Sequence, residues 1–120
     1  MLVFSQAQCQ ALAEAAFVRR MHVILGVLSP DSAMHESAGL ENGIREQLRR
    51  AKERGFTDER DCARWVLCAW CLGEDFDRKI ASFATLLDRD DVGPAYKALA
   101  MELTLRAVFL ALAGQSKNVL

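Results

Sequence analysis

Eight consecutive residues near the middle of the chain are all apolar: positions 65–72 read WVLCAWCL. A helix that is apolar on every side is buried on every side. Because a membrane-spanning helix needs about 20 such residues, this run is too short to cross a bilayer. It therefore predicts the central helix of a folded domain, near residues 57–72, with other helices packed around it.

The rest of the sequence is typical of helix rather than strand. Ala, Leu, Glu, Arg and Gln dominate, and no run of Val, Ile and Thr alternates with polar residues. Start and stop signals divide the chain into about five predicted helices, over residues 5–28, 32 or 34 to 54, 57–72, 78–87 and 94–113. We expect an all-α fold, a single compact bundle over residues 1–120, because a chain of this length forms one domain and buries roughly two-thirds of its unfolded surface.

Capping residues mark where the predicted helices begin. Ser5 and Gln8 have the spacing of a capping box, in which each side chain accepts from the other's backbone N–H. Thr57 is expected to cap the central helix, and Asp77 a short fourth helix. Pro94 suits the first turn of the last helix, since the N–H that proline lacks has no partner there.

Helical periodicity predicts which sides of the first two helices face the core. The first helix has a broad apolar arc, made of Cys9, Leu12, Ala16, Phe17 and Val23. The second helix has a narrower one, within about 80° at 100° per residue, made of Leu40, Ile44, Leu48 and Ala51. We expect both arcs to be buried.

The last predicted helix is apolar on two opposite sides. One stripe consists of Tyr96, Leu99, Leu103, Ala107 and Leu110, and the other of Met101, Leu105, Val108 and Leu112. One helix cannot turn both stripes toward the central helix, so the second must be covered by the first helix or by another chain. We expect part of the Met101 stripe to be buried by a protein partner, either a second copy in a homodimer or a different protein.

Three patterns suggest chemistry, and each has a simpler interpretation. Cys68 and Cys71 have redox or metal spacing, but they sit at a helix end and the chain has only two histidines. The acidic turn at residues 88–93 resembles the start of a calcium loop, yet its twelfth position is Leu99 rather than Glu. The carboxylates of residues 74–77 lack any sign of a catalytic pocket. We predict no catalytic, cofactor-binding or metal-ligating residue, and no enzyme.

The second helix has a charged face that offers another route to a partner. Arg45, Arg49 and Lys52 are its candidate contact residues. The net charge of the chain is −1, acidic residues alternate with these basic ones, and no aromatic residue lies among them to stack on a base. The simplest interpretation is a solvated helix face with i,i+4 ion pairs, and a charged protein partner is the alternative that we prefer to nucleic acid.

The compartment follows from what the sequence lacks. The first ten residues show neither a basic start nor a long apolar run, so we expect no signal peptide. Two charged residues interrupt the apolar stretch at residues 98–113, so we expect no membrane insertion. Three of the four cysteines lie in one helical segment, at positions 62, 68 and 71. Free thiols in a reducing cytoplasm are the expected state.

One stretch of the sequence resembles a known family. Residues 50–61 read RAKERGFTDERD, followed by the apolar helix, then GEDFD at 73–77 and LLD at 86–88. This resembles small helical proteins encoded beside type VI secretion effectors in Gram-negative bacteria, whose pattern is an Ala-rich helix, Tyr-Gly-Ile, Thr-Glu, an apolar helix, Gly-x-x-Phe-Asp and Leu-x-Asp. The similarity covers about residues 48–88. This chain differs by having Phe56 where the pattern has Ile, and by lacking the Tyr before Gly55.

The resemblance implies a cytoplasmic accessory protein with a secreted protein as its partner. In the first interpretation it is an adaptor or co-chaperone, which shields an apolar face of an effector and helps to load it. In the alternative it is an immunity protein, which neutralises a cognate toxin through its charged face. Neither interpretation requires a cofactor.

Overall fold

The computed structural model describes residues 5–28 and 37–118. Helices are the only regular elements among these residues, which confirms the all-α prediction. They are α1 (Gln6–Leu28), α2 (Ser37–Glu53), α3 (Glu59–Leu72), α4 (Phe76–Lys79), α5 (Ala81–Leu87) and α6 (Pro94–Asn118). The predicted start of the second helix, at residue 32 or 34, lies outside the described residues. The chain divides into two compact units, residues 1–50 and 51–120, which are described in turn; one domain over residues 1–120 stays a prediction.

Helix α1 begins with the predicted capping box. The backbone N–H of Ser5 donates to Gln8 Oε1 at 2.8 Å, and that of Gln8 donates to Ser5 Oγ at 3.2 Å. The predicted buried arc is wrong except for Phe17, because Cys9, Leu12 and Val23 are exposed and Ala16 is half-buried. The buried side consists of Phe17, Val18, Met21 and Leu25. Since α1 is apolar on both sides, periodicity could not decide between them.

Helix α2 buries the predicted face, and Gly55 forms the turn that ends it. Its apolar residues Leu40, Ile44, Leu48 and Ala51 are all buried. The N–H of Phe56 donates to the Ala51 carbonyl and that of Gly55 to the Lys52 carbonyl, both at 3.0 Å, which is the Schellman motif. Gly55 has φ +94°, a conformation that side chains rarely adopt. The turn places Phe56 in the core, where it is fully buried.

Helix α3 is the apolar helix of the sequence, and it packs against α6 and α4. Its N-cap is Asp58 rather than Thr57, since Asp58 Oδ1 accepts from the N–H of Arg60 at 2.8 Å. It ends at Leu72, and Gly73 follows with φ +111°. Burial on every side is only partly right. Trp65, Val66, Cys68 and Ala69 are buried, whereas Cys71 is exposed and Leu67, Trp70 and Leu72 are half-buried.

A row of four aromatic rings forms the core of the second unit. The Trp65 ring lies 5.7 Å from that of Phe56 and 5.0 Å from that of Phe76, and Phe76 lies 5.4 Å from Phe83. The last two pairs meet edge to face, a favourable geometry for aromatic rings. All four side chains are fully buried. The row joins the turn after α2 to α3, α4 and α5.

The short fourth helix of the prediction is two helices in the structure. Ile80 is extended, with ψ 111°, and separates α4 from α5. Asp77 therefore lies inside α4 and is buried, so its predicted role as an N-cap is wrong. Helix α6 begins at Pro94 as predicted, but it runs to Asn118 and includes Gly114, well past the predicted end at residue 113.

We predict that Trp65→Ala lowers the free energy of unfolding by about 3–5 kcal/mol, because the substitution removes the ring that contacts both Phe56 and Phe76. Urea denaturation followed by circular dichroism measures this change. The control is Leu103→Ala, since Leu103 is 54% exposed and its loss should change stability by only about 0.5 kcal/mol. Equal midpoints for the two variants would contradict the aromatic core.

Candidate protein-binding surfaces

The Met101 stripe of α6, which was expected to bind a partner, faces the core of the chain itself. Met101 is fully buried within the chain itself, and Leu105 and Val108 are half-buried. The side chain of Leu112 lies outside the described residues. Met101 is therefore corrected as a partner contact, because a residue with no exposed surface cannot be covered by a second molecule. The helix has turned its other apolar side outward.

The exposed side of α6 is the α6 stripe, which consists of Tyr96, Leu99, Leu103, Ala107 and Leu110. The four large side chains are 53%, 46%, 54% and 73% exposed in chain order, and Ala107 is also exposed. At 100° per residue the five positions fall within about 80° of the helix surface. A continuous row of large apolar side chains in water is typical of an interaction surface.

Two polar contacts join α6 to the rest of the second unit. Lys97 Nζ donates to the carbonyl of Leu87 at 2.8 Å, and Arg64 of α3 donates to Glu102 Oε2 at 3.4 Å. Lys97 and Glu102 lie about 140° apart around the helix, with Met101 in the arc between them. Both contacts agree with the observed rotation, in which Met101 faces inward and the α6 stripe faces solvent.

A second exposed apolar surface lies on α1. The α1 face consists of Leu12, Val23, Ile24 and Val27, of which all but Ile24 are more than half exposed. It lies opposite the buried side of α1, which includes Met21 and Leu25. Leu12 and Val23 belong to the arc that periodicity assigned to the core. Periodicity therefore identified an apolar side of α1 correctly, but that side faces solvent rather than the core.

The charged face of α2 is exposed, but its charges have partners within the chain. Arg45 Nε lies 3.8 Å from Glu14 Oε1, and Arg49 Nε donates to Glu46 Oε2 at 3.0 Å. The hydrogen bond from Arg49, assisted by one from Arg50, lowers the pKa of Glu46 to about 2. Lys52 is exposed as well. Since carboxylates beside these arginines balance part of their charge, this face is less basic than its sequence suggests.

An ion pair that was not predicted connects the end of α2 to α4. Arg54 Nη2 lies 3.3 Å from Asp77 Oδ2, and Arg54 Nη1 lies 3.3 Å from Asp88 Oδ1. The Asp77 side chain is only 5% exposed, and its Oδ1 has no hydrogen-bond partner among the described residues. Asp77 thus serves structure through Arg54.

The four cysteines are free, as predicted. Burial raises the pKa of Cys68 to about 12, and it also raises the pKa of Cys62 and of Cys71. A raised pKa keeps a thiol protonated and unreactive. Among residues 5–28 and 37–118, no three His, Cys, Asp or Glu side chains cluster as metal ligands would.

We predict that Arg54→Ala lowers the free energy of unfolding by about 1–3 kcal/mol, because it leaves the buried Asp77 carboxylate without its donor. The same substitution should cost clearly less in an Asp77→Asn background, where no buried charge remains. Urea unfolding of the four chains measures this coupling. Additive effects of the two substitutions would contradict the ion pair.

We also predict that Glu46 stabilises the folded chain in a pH-dependent way. Its folded-state pKa is about 2, below the ordinary 4.5, so the contribution is complete above about pH 4.5 and is lost as the pH falls through 2. The carboxyl carbon of Glu46 should titrate near pH 2 by NMR, and Arg49→Gln should raise that midpoint. A native midpoint above pH 4 would contradict the Arg49 contact.

No family model, curated protein or solved structure matches this chain. Within the described ranges, no helix combines the length and the hydropathy needed to span a bilayer. The assignment of a function therefore depends on the surfaces of the molecule: the apolar sides of α1 and α6, and the charged face of α2.

Proposed function

We propose that this chain is a non-enzymatic protein-binding module, an adaptor or co-chaperone for a type VI secretion effector in the cytoplasm of a bacterium. The observation that carries the proposal is the exposure of Val23, Ile24 and Val27, which lie close together near the end of α1. Folded proteins seldom leave several large apolar side chains together in water unless another molecule covers them. The resemblance of residues 48–88 to proteins encoded beside effectors supplies the kind of partner.

The mechanism is shielding. An effector awaiting export has an apolar segment that would aggregate in the cytoplasm, and the α1 face covers that segment until delivery. Burial of apolar surface contributes roughly 25 cal/mol per Å², so a few large side chains suffice for a reversible complex. A reversible complex suits an adaptor, because the effector must leave it during secretion.

The alternative role, an immunity protein, would use the charged face of α2 instead. Arg45 and Arg49 already lie beside Glu14 and Glu46, so a toxin would have to displace these carboxylates in order to use the arginines. The apolar surfaces therefore favour the adaptor. The two roles differ in cells: an immunity protein protects a cell that expresses the toxin, whereas loss of an adaptor lowers the amount or the export of its effector.

We predict that Val27→Lys abolishes co-purification with the effector encoded beside the gene, because it puts a charge into the α1 face at a residue 74% exposed. The matched control is Ala11→Lys, an exposed position on the same helix about 160° around from Val27. Both variants should keep the circular dichroism of the parent chain. Affinity capture from cells that co-express both proteins measures the effect.

Three results would contradict the proposal. Val27→Lys could bind the effector as well as Ala11→Lys does, which would exclude the α1 face. An Arg49→Glu variant could lose binding while Val27→Lys keeps it, which would favour the immunity role. Deletion of the gene could leave both the level and the export of the effector unchanged, which would exclude an adaptor.

A further inference from the structure

The residues of the α6 stripe are spaced symmetrically about its central residue, so the order of spacings is the same in both directions along the helix. Counted from Leu103, its other members lie at −7, −4, +4 and +7, which are Tyr96, Leu99, Ala107 and Leu110. A second α6 laid antiparallel, with the two Leu103 residues at the centre, therefore brings every stripe residue opposite another. Interfaces with two-fold symmetry require this self-complementarity, because the same patch serves both copies. We infer that the α6 stripe binds a second copy of this chain, in an antiparallel pair centred on Leu103.

One of the facing pairs in this arrangement combines a large and a small side chain. Tyr96 lies opposite Leu110 of the other copy, and Leu99 lies opposite the small Ala107. A large side chain facing a small one lets two helices interdigitate, as the residues of a well-packed core do. The edge of the stripe away from Glu102 and Arg106 consists of Ala100, Thr104 and Ala111, which are small enough for the helices to approach closely.

The charges beside the stripe favour the antiparallel direction. Glu102 and Arg106 lie along one edge, where Arg106 Nη2 is 3.7 Å from Glu102 Oε1. In an antiparallel pair with a two-fold axis, the charged edge of one copy lies beside the charged edge of the other, and the two edges run in opposite directions. Arg106 of one copy then lies about 3 Å along the axis from Glu102 of the other, and the two Glu102 residues are separated by the same axial distance, so the two contacts between opposite charges outnumber the one between like charges. In a parallel pair the charged edge would face alanine and threonine.

The size of the stripe sets the strength of the pair. Stable interfaces bury about 800 Å² on each partner. Four large side chains, each about half exposed or more, offer of the order of a few hundred Å². The dimer is therefore concentration-dependent. This inference stands apart from the adaptor proposal, because it uses α6 and leaves the α1 face to the effector.

The test of the interface is sedimentation equilibrium of the purified chain from micromolar to millimolar concentration. The parent chain should show a monomer–dimer equilibrium. Leu103→Lys places two lysines at the two-fold axis and should raise the dissociation constant about tenfold or more. The matched control is Phe109→Lys, because Phe109 is 50% exposed and lies about 120° around α6 from Leu103. This control should dimerise like the parent.

Disulfide cross-linking tests the direction, in a chain whose exposed cysteines are removed by Cys9→Ser and Cys71→Ser. Leu103→Cys should cross-link the two copies. Tyr96→Cys should not, because the two positions lie about 21 Å apart along the axis in the antiparallel pair. Three results would overturn the inference: a parent chain that stays monomeric at millimolar concentration, a Leu103→Lys variant that dimerises like the Phe109→Lys control, or a Tyr96→Cys variant that cross-links as readily as Leu103→Cys.

Discussion

The Trp65 indole touches the rings of both Phe56 and Phe76, and four elements of the second unit meet through this row of rings. The turn after α2 delivers Phe56, and that turn depends on Gly55, whose φ of +94° allows the Schellman hydrogen bonds. At the other end, Phe76 passes the contact on to Phe83 of α5. The position of α3 thus depends on Gly55 in the turn before it and on Phe76 in the helix after it.

Ion pairs connect the same helices that the aromatic rings hold together, and they add α6. Arg54 joins the end of α2 to Asp77 of α4, and Arg64 joins α3 to Glu102 of α6. Ion pairs of this kind contribute modest net free energy, since the charges lose water when they are buried. Their geometry matters as well, because the Arg64–Glu102 pair, together with the hydrogen bond from Lys97 to the Leu87 carbonyl, fits only one rotation of α6, a helix that has two apolar sides.

The rotation of α1 and α6 about their axes explains why this small all-α chain exposes apolar surface. Helices α1 and α6 each have more apolar residues than one core can cover. Each buries one side, around Met21 and Met101 respectively, and exposes the other. Because exposed apolar surface is unfavourable in water, both outward sides are suited to reversible contacts with other proteins. The function proposed for α1 and the dimer inferred for α6 both follow from this excess.

Local chemistry in the sequence determined the elements of this protein. The capping box at Ser5, the glycine stop at residue 55 and the start at Pro94 could be read from residue types and spacing, because each depends on neighbours within about one turn of helix. The buried face of α2 could be read because that helix has only one apolar side. Only the tertiary structure decided which side of α1 and α6 is buried. Periodicity gives a helix with two apolar sides no preference, so contacts distant in sequence, such as that between Arg64 and Glu102, make the choice. The same kind of contact removed Asp77 from its expected cap and buried it beside Arg54.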